Sequence, residues 1–233
     1  MISIIIPVWN QAGKIRKCLD SILEQSFLGF EVVVVDDEST DDLNIVLDEY
    51  EVKFQEKNID FLVIHQENQG PQAARNRGFF NSKGKYVIFL DADIMMKPDM
   101  LEKMLNVLKE NLDRSYVYSA HKFGFKTFKL WKFNAEKLRE MPYIHTSSLI
   151  RREHFPGFDE NIKRLQDWDL WLTMLEKGHT GIWIPEVLFQ VSAGGTMSAW
   201  IPSFAYKLLP FLPKVKKYKK AVEIIKNKHK LEP

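Results

Sequence analysis

The sequence predicts an α/β protein: an open, mostly parallel sheet flanked by helices, with a basic amphipathic helical tail behind it. Three observations lead there. Four apolar runs in the first 91 residues are near-continuous rather than alternating, as in strands covered on both faces. The segments between them repeat apolar residues at helical spacing. Each run also ends abruptly in polar residues, and open α/β sheets bind their ligands beyond the carboxyl ends of their strands.

The elements follow in order. "ISIIIPV" (2–8) is the first strand, and Ile15, Cys18, Leu19, Ile22 and Leu23 mark a helix after it. "FEVVVVD" (30–36) is the second strand, followed by a helix starting near residue 41. "IDFLVIH" (59–65) and "KYVIFLD" (85–91) are the third and fourth, and Leu101, Met104, Leu105 and Leu108 form a helix with Pro98 in its first turn. This β-α-β-α-β-α-β-α order implies right-handed crossovers. In the second half, "IHTSSLI" (144–150) and "GIWIPEVLF" (181–189) read as strands, and "LQDWDLWLTMLEKG" (165–178) as a helix closed by Gly178. The loop "SAGGTMSA" (192–199) is the natural hinge between a domain of residues 1–199 and a tail of residues 200–233.

That tail holds nine lysines against Glu223 and Glu232, a local charge of +7, which leaves 24 basic and 29 acidic residues in the rest of the chain. Val215, Tyr218, Val222 and Ile225 form an apolar seam on a basic helix. Two readings of it stand side by side: a helix packed on the domain with a solvated lysine face, or an anchor on an anionic membrane, with Trp200, Phe204, Tyr206 and Phe211 at headgroup depth. Nucleic acid is a poorer partner, because no recognised module accompanies the charge. No stretch reaches the roughly 18 apolar residues of a membrane span, and "MISIII" lacks the basic start of a secretory signal. A cytoplasmic protein, peripheral at the inner face of the membrane, is the expectation. The single cysteine, Cys18, sits in an apolar stripe and is expected to be a buried thiol. No phosphate-binding glycine pattern follows the first strand, which weakens dinucleotide and NTPase readings.

Asp91 and Asp93 are the sharpest chemical signal. On an extended strand the i, i+2 spacing points both carboxylates to one side, where they repel unless a cation intervenes. Hard oxygens of this kind suit Mg²⁺ or Mn²⁺, which bind through one or two carboxylates plus substrate phosphates. The bland alternative is a turn cap. Asp36 and Asp37, followed by Ser39, Thr40 and Asp41, divide evenly between turn chemistry and ligand binding. Asp167, just before an apolar helical run, reads by itself as an N-cap.

Six blocks in order, "ISIIIPVWN", "VVVVDDESTDD", "NQGPQAARNRGF", "YVIFLDAD", "HTSSLIRRE" and "GFDENIKRLQDWDLWL", resemble glycosyltransferase family 2, nucleotide-sugar enzymes of the GT-A fold, over roughly residues 2 to 198. The resemblance implies that Pro7, Trp9 and Asp37 line the base and ribose, and that Arg75 lies near the diphosphate. Asp91-Ala92-Asp93 matches the Asp-x-Asp element, with Asp91 toward ribose and sugar and Asp93 toward the metal. Asp167 matches the base that deprotonates the acceptor in an inverting displacement. The donor is then a nucleotide-diphosphate sugar, and a lipid-linked or cell-surface glycan is the implied acceptor. Two departures stand out. Gln166 replaces a common glutamate, and Ser192 stands near the place of a metal-binding histidine. They leave open a nucleotide-sugar-binding protein without turnover; a membrane-surface scaffold is the alternative from another class. The Gln-x-x-Arg-Trp element of processive synthases is absent, which points to addition of a single sugar. His65, His121, His145, His154 and His179 show no ligand spacing and read as structural or exposed.

Overall fold

A computed structural model describes residues 1–192 and 212–232. The predicted headgroup residues Trp200, Phe204, Tyr206 and Phe211, and residues 193–199 of the hinge, lie outside the described residues.

The described residues form one mixed sheet of nine strands. Strands β1 (Ile2–Val8), β2 (Phe30–Asp37), β3 (Phe61–Gln66) and β4 (Tyr86–Phe89) alternate with helices α1 (Ala12–Leu23), α2 (Leu43–Glu56) and α3 (Pro71–Phe80). β5 (Ile94–Met96) and α4 (Met100–Glu110) follow. The second half adds β6 (Tyr116–Phe123), β7 (Lys126–Phe128), α5 (Ala135–Glu140), β8 (Leu149–Arg151), α6 (Gln166–Glu176), β9 (Gly181–Val191) and α7 (Pro213–Lys228). The spatial order is β3-β2-β1-β4-β8-β6-β9-β5, with β7 beside β6. β1 to β4 pair in parallel, β8 is antiparallel to both of its neighbours, and β6 and β9 are parallel.

Alternation along the strands builds two cores. On one face, Ile2, Ile4, Ile6 and Val8 of β1 meet α1, α2 and α4; on the other, Ile5, Val33, Val35, Val87 and Phe89 meet α3, α5, α6 and α7. α3 lies close on β1, where a Cβ at Gly78 would come within 2.5 Å of Ile5 Cγ2. Cys18 is fully buried in the first core, as expected.

Four expectations need correction. β3 is the edge strand, so it is only half-covered and Leu62 is exposed. Pro98 stands outside α4, whose first residue is Met100. The strand expected over 144–150 shrinks to Leu149–Arg151, because two serine side chains capture backbone carbonyls ahead of it: Ser148 Oγ donates to His145 O (2.7 Å) and Ser147 Oγ to Phe89 O (3.0 Å). Finally, β4 ends at Phe89, and residues 91–94 form a turn closed by Ile94 N–H on Asp91 O (3.0 Å). Asp91 and Asp93 are therefore turn residues, and extended-strand geometry does not set their directions.

Candidate active site

The parallel register brings the ends of β1, β2 and β3 level, Val8 opposite Asp36 and Asp37 opposite Gln66. Pro7 is buried within β1. Trp9, just past its end, is 52% exposed. Asn10 follows in the left-handed region (φ 50°) and staples the first loop to the second: Thr40 N–H donates to its side-chain carbonyl (2.7 Å), and its own N–H donates to Ser39 Oγ (2.9 Å). Asp37 is buried and organises the loop into α3, accepting from Gln66 Nε2 (2.8 Å), Gln69 N–H (2.9 Å) and Gly70 N–H (2.9 Å). Asp36 accepts from Ser39 N–H (2.9 Å) and faces His65 Nδ1 (3.0 Å). In this state both carboxylates of the pair hold loops together, and Asp37 retains acceptor capacity on Oδ2.

Arg75, on α3, is only 1% exposed. Its Nη2 donates to Asp91 Oδ1 (2.5 Å), and the guanidinium lies over the Phe158 ring, 5.3 Å from its centroid. Nε and Nη1 are buried without a hydrogen-bond partner, an arrangement that costs about 1–3 kcal/mol per group. Burial pushes the Asp91 carboxyl up, but the charges of Arg75 and His145 outweigh it and hold Asp91 below the usual carboxylate range. Asp93 moves the other way, raised by burial and then by Asp91, with Lys14 working against the shift. One carboxylate of the pair has its cation in Arg75. The other would gain from one. Ala92 between them is buried.

Asp167 enters from α6. The N-cap position belongs to Leu165, in the left-handed region (φ 59°), so Asp167 lies in the first turn and is not a cap. It is half-buried, and its Oδ1 accepts the adjoining Trp168 N–H (2.9 Å). Burial raises its pKa, partly offset by His145, the Trp168 amide and Arg75.

His145 is the residue that sequence reasoning missed. Its Nδ1 accepts Ser147 N–H (3.1 Å), which leaves the proton of the neutral ring on Nε2. Burial lowers its pKa, Asp91 and Asp167 pull it up and Arg75 pushes it down, so electrostatically it lies between the Asp-x-Asp turn and α6. Its ring is 5.2 Å from Phe189 and 5.4 Å from His121; His121 in turn is stacked between Phe128 and Phe189 and is held neutral, lowered to about 3 by burial and then by His145. No spacing signalled this, because His145 stands in the segment that read as a strand.

Among the described residues no group of three or more His, Cys, Asp or Glu side chains forms a metal cage. Asp91 and Asp93 supply two hard carboxylates, a partial set of the kind Mg²⁺ and Mn²⁺ complete with phosphate oxygens and water. Ser192 is next to them: its N–H donates to Asp93 O (2.9 Å).

The tail helix α7 packs on the domain. Val215, Ala221 and Ile225 are buried, and Tyr218 and Val222 are half-buried, so the predicted seam faces the second core and is not available for insertion into a bilayer. At its end His229 bridges Asp169 (2.8 Å) and Glu176 (2.8 Å) of α6, and Lys228 binds Asp159 and Asp169 (both 2.7 Å). Lys214, Lys216, Lys217, Lys219 and Lys220 remain exposed. No helix among the described residues is long and apolar enough to cross a membrane.

The family model described as glycosyl transferase family 2 matches residues 3–166. A Rickettsia felis protein described as an uncharacterized glycosyltransferase is 29% identical over 215 residues, covering 87% of this chain and 35% of its own. TuaG of Bacillus subtilis, provisionally assigned to teichuronic acid biosynthesis, is 31% identical over 207 residues, covering 81% of this chain and 77% of its own. The chain thus spans about a third of the length of the first curated relatives it matches. Among solved structures, S. aureus TarS in complex with UDP-GlcNAc superposes with a TM-score of 0.72 at 20% identity over 88% of this chain and 63% of that one. The Pyrobaculum calidifontis mannosyltransferase PcManGT, in complex with GDP-Man and Mn²⁺, gives 0.69 at 20% identity over 85% and 58%. At that identity the likeness establishes a shared GT-A fold.

Proposed function

Because the chain belongs to glycosyltransferase family 2, we propose that it moves one sugar from a nucleotide-diphosphate sugar to an acceptor hydroxyl, with inversion and with a divalent cation, Mn²⁺ or Mg²⁺, at the leaving diphosphate. The observation that carries this is Arg75: a buried guanidinium beside Asp91 with two nitrogens lacking acceptors is matched by the phosphate oxygens of such a donor. Pro7 and Trp9 offer a wall and a stacking face to the base, and Asp37 an acceptor to the nucleoside. Asp91 and Ala92 line the ribose and sugar, while Asp93, with Asp91, holds the cation. Bound there, the cation neutralises charge on the departing diphosphate.

In the transfer, the acceptor oxygen bonds to the anomeric carbon as the bond from that carbon to the phosphate oxygen breaks, and the nucleoside diphosphate leaves with the electron pair. Asp167 takes the acceptor proton. Its raised pKa makes it a stronger base than an ordinary aspartate. The machinery falls within a domain of residues 1–199, ahead of a tail of residues 200–233 whose helix α7 packs on that domain. The acceptor is a lipid-linked or cell-surface glycan reached from the cytoplasmic side of an anionic membrane, a reading supported by the basic tail and by the assignment of TuaG.

Gln166 and Ser192 favour a second reading, in which donor binds without turnover. Two variants separate the roles. Asp93→Ala is expected to abolish metal-dependent nucleotide binding, and Asp167→Asn to keep binding and lose transfer. Equal loss of binding in both, with the fold intact, would overturn the assignment.

A further inference from the structure

The segment that reaches past the site has a composition that the transferase chemistry leaves unexplained. Residues 121–133, "HKFGFKTFKLWKF", interleave Lys122, Lys126, Lys129 and Lys132 with four phenylalanines and Trp131, and no acidic residue occurs from Arg114 to Ala135. The fold makes a projecting hairpin of it. β6 and β7 pair from His121 opposite Phe128 to Phe123 opposite Lys126, which leaves Gly124-Phe125 as a two-residue loop. Gly124 (φ 54°) takes the first position, the one that a type II′ turn reserves for glycine. Phe125 at the tip has a relative exposure of 108%. The base is anchored, with Phe128 stacked on His121 (5.0 Å) and Lys126 over the Phe128 ring (4.8 Å). Lys122, Lys126, Lys129 and Lys132 are all exposed.

The tip also has a fixed relation to the site. Gly124 N–H donates to Val191 O (3.2 Å), and the next residue, Ser192, donates its N–H to Asp93 O (2.9 Å). Two hydrogen bonds therefore connect the loop to the Asp-x-Asp turn.

We infer that this hairpin is a membrane wedge: Phe125 enters the interfacial region of an anionic bilayer while the surrounding lysines contact its headgroups, setting the mouth of the active site against the lipid surface. A bare phenylalanine at a tip has no walls to enclose a sugar, but it suits the headgroup-to-acyl boundary, where aromatic rings flanked by cationic chains partition. The inference rests on the proposed membrane-borne acceptor and supplies the element that would bring the site to it.

The test is sedimentation of the chain with vesicles of pure phosphatidylcholine and of phosphatidylcholine with 30% phosphatidylglycerol, alongside donor-induced thermal stabilisation in solution. The intact chain is expected to bind the anionic vesicles only, and less well as salt rises. Phe125→Ser should weaken that binding by about tenfold or more, and each of Lys122→Gln and Lys126→Gln by about fivefold, with donor stabilisation unchanged in all three. A companion variant with Lys216, Lys217, Lys219 and Lys220 changed to Gln reports on α7. Absence of vesicle binding by the intact chain, or binding lost in the α7 variant and untouched by Phe125→Ser, would overturn the wedge even if donor binds. Failure of donor binding with vesicle binding intact would count instead against the transferase reading.

Discussion

Arg75→Met separates a structural arginine from a ligand-binding one. In the unliganded protein the substitution removes one charged hydrogen bond, to Asp91, worth about 1.5–3 kcal/mol. The Asp91 side chain is 36% exposed, so water can replace the lost donor. Against this, the substitution removes two buried, unpartnered nitrogens, each costing about 1–3 kcal/mol, and the methionine stem keeps most of the packing under Phe158. The relief, about 2–6 kcal/mol for the two nitrogens, at least offsets the lost hydrogen bond, and unfolding by urea without ligand should show a loss of stability of no more than about 1 kcal/mol. Donor affinity should fall steeply. Two charge-assisted hydrogen bonds to phosphate amount to about 3–6 kcal/mol, or about 10²–10⁴ in Kd by titration calorimetry with metal present. A variant that loses more than about 3 kcal/mol of stability, typical of a broken buried pair, yet binds donor normally once folded, would refute the reasoning.

Other outcomes follow from the same geometry. Asp167 has a raised pKa, so kcat/KM should climb with pH through a midpoint above the ordinary aspartate value of about 4; an acid limb at or below that value would count against it as the base. A carboxyl raised on folding adds stability only below its unfolded pKa and loses it as pH rises through the folded one, so Asp167→Asn should have a higher Tm than the parent at pH 7 and an equal one near pH 3. Trp9→Ala should leave stability within about 0.5 kcal/mol, since the ring is half-exposed, while costing about 1–3 kcal/mol of nucleotide binding through lost stacking; unchanged affinity would remove Trp9 from the base site. For His229, burial opposes the charged ring, but the hydrogen bonds to Asp169 and Glu176 prevail and raise its pKa, with Lys228 also on Asp169. The stability it contributes is present below about pH 6.5 and is lost as pH rises through the raised value. The Tm deficit of His229→Asn should therefore shrink between pH 6 and pH 9.5, and a constant deficit would show that the ring is not charged in the fold.

The parts of the fold that were legible are those where one residue pattern decides the outcome. β1, β2 and β4 are covered on both faces and read as unbroken apolar runs; α1 and α4 show their buried stripes. β3 carries a similar run, yet it is the edge strand, and position in a sheet is a property of topology that a run does not encode. β6 escaped notice because its inward residues, Tyr116, Tyr118 and Ser119, include polar atoms, although it lies deep within the sheet between β8 and β9. In the site, the Asp-x-Asp pair was visible as a chemical oddity, while the reason for its geometry was not: a turn rather than a strand sets the carboxylates, and the cation beside Asp91 comes from α3, 16 residues earlier. His145 was invisible because nothing local marks it; only the folding of residues 144–148 back over Phe89 carries it to Asp91 and Asp167. The tail's seam was read correctly, and its partner, α6 with Asp169 and Glu176, could come only from the tertiary structure.

The most direct test of the central claim is thermal unfolding of the purified chain with UDP-, GDP- and dTDP-sugars, each with and without Mn²⁺. A ligand at about 100 times its Kd adds about 2.7 kcal/mol to stability. The account predicts a stabilisation of that order with one nucleotide class and only when the cation is present. Equal Tm values with every donor, in a protein that unfolds cooperatively, would contradict it.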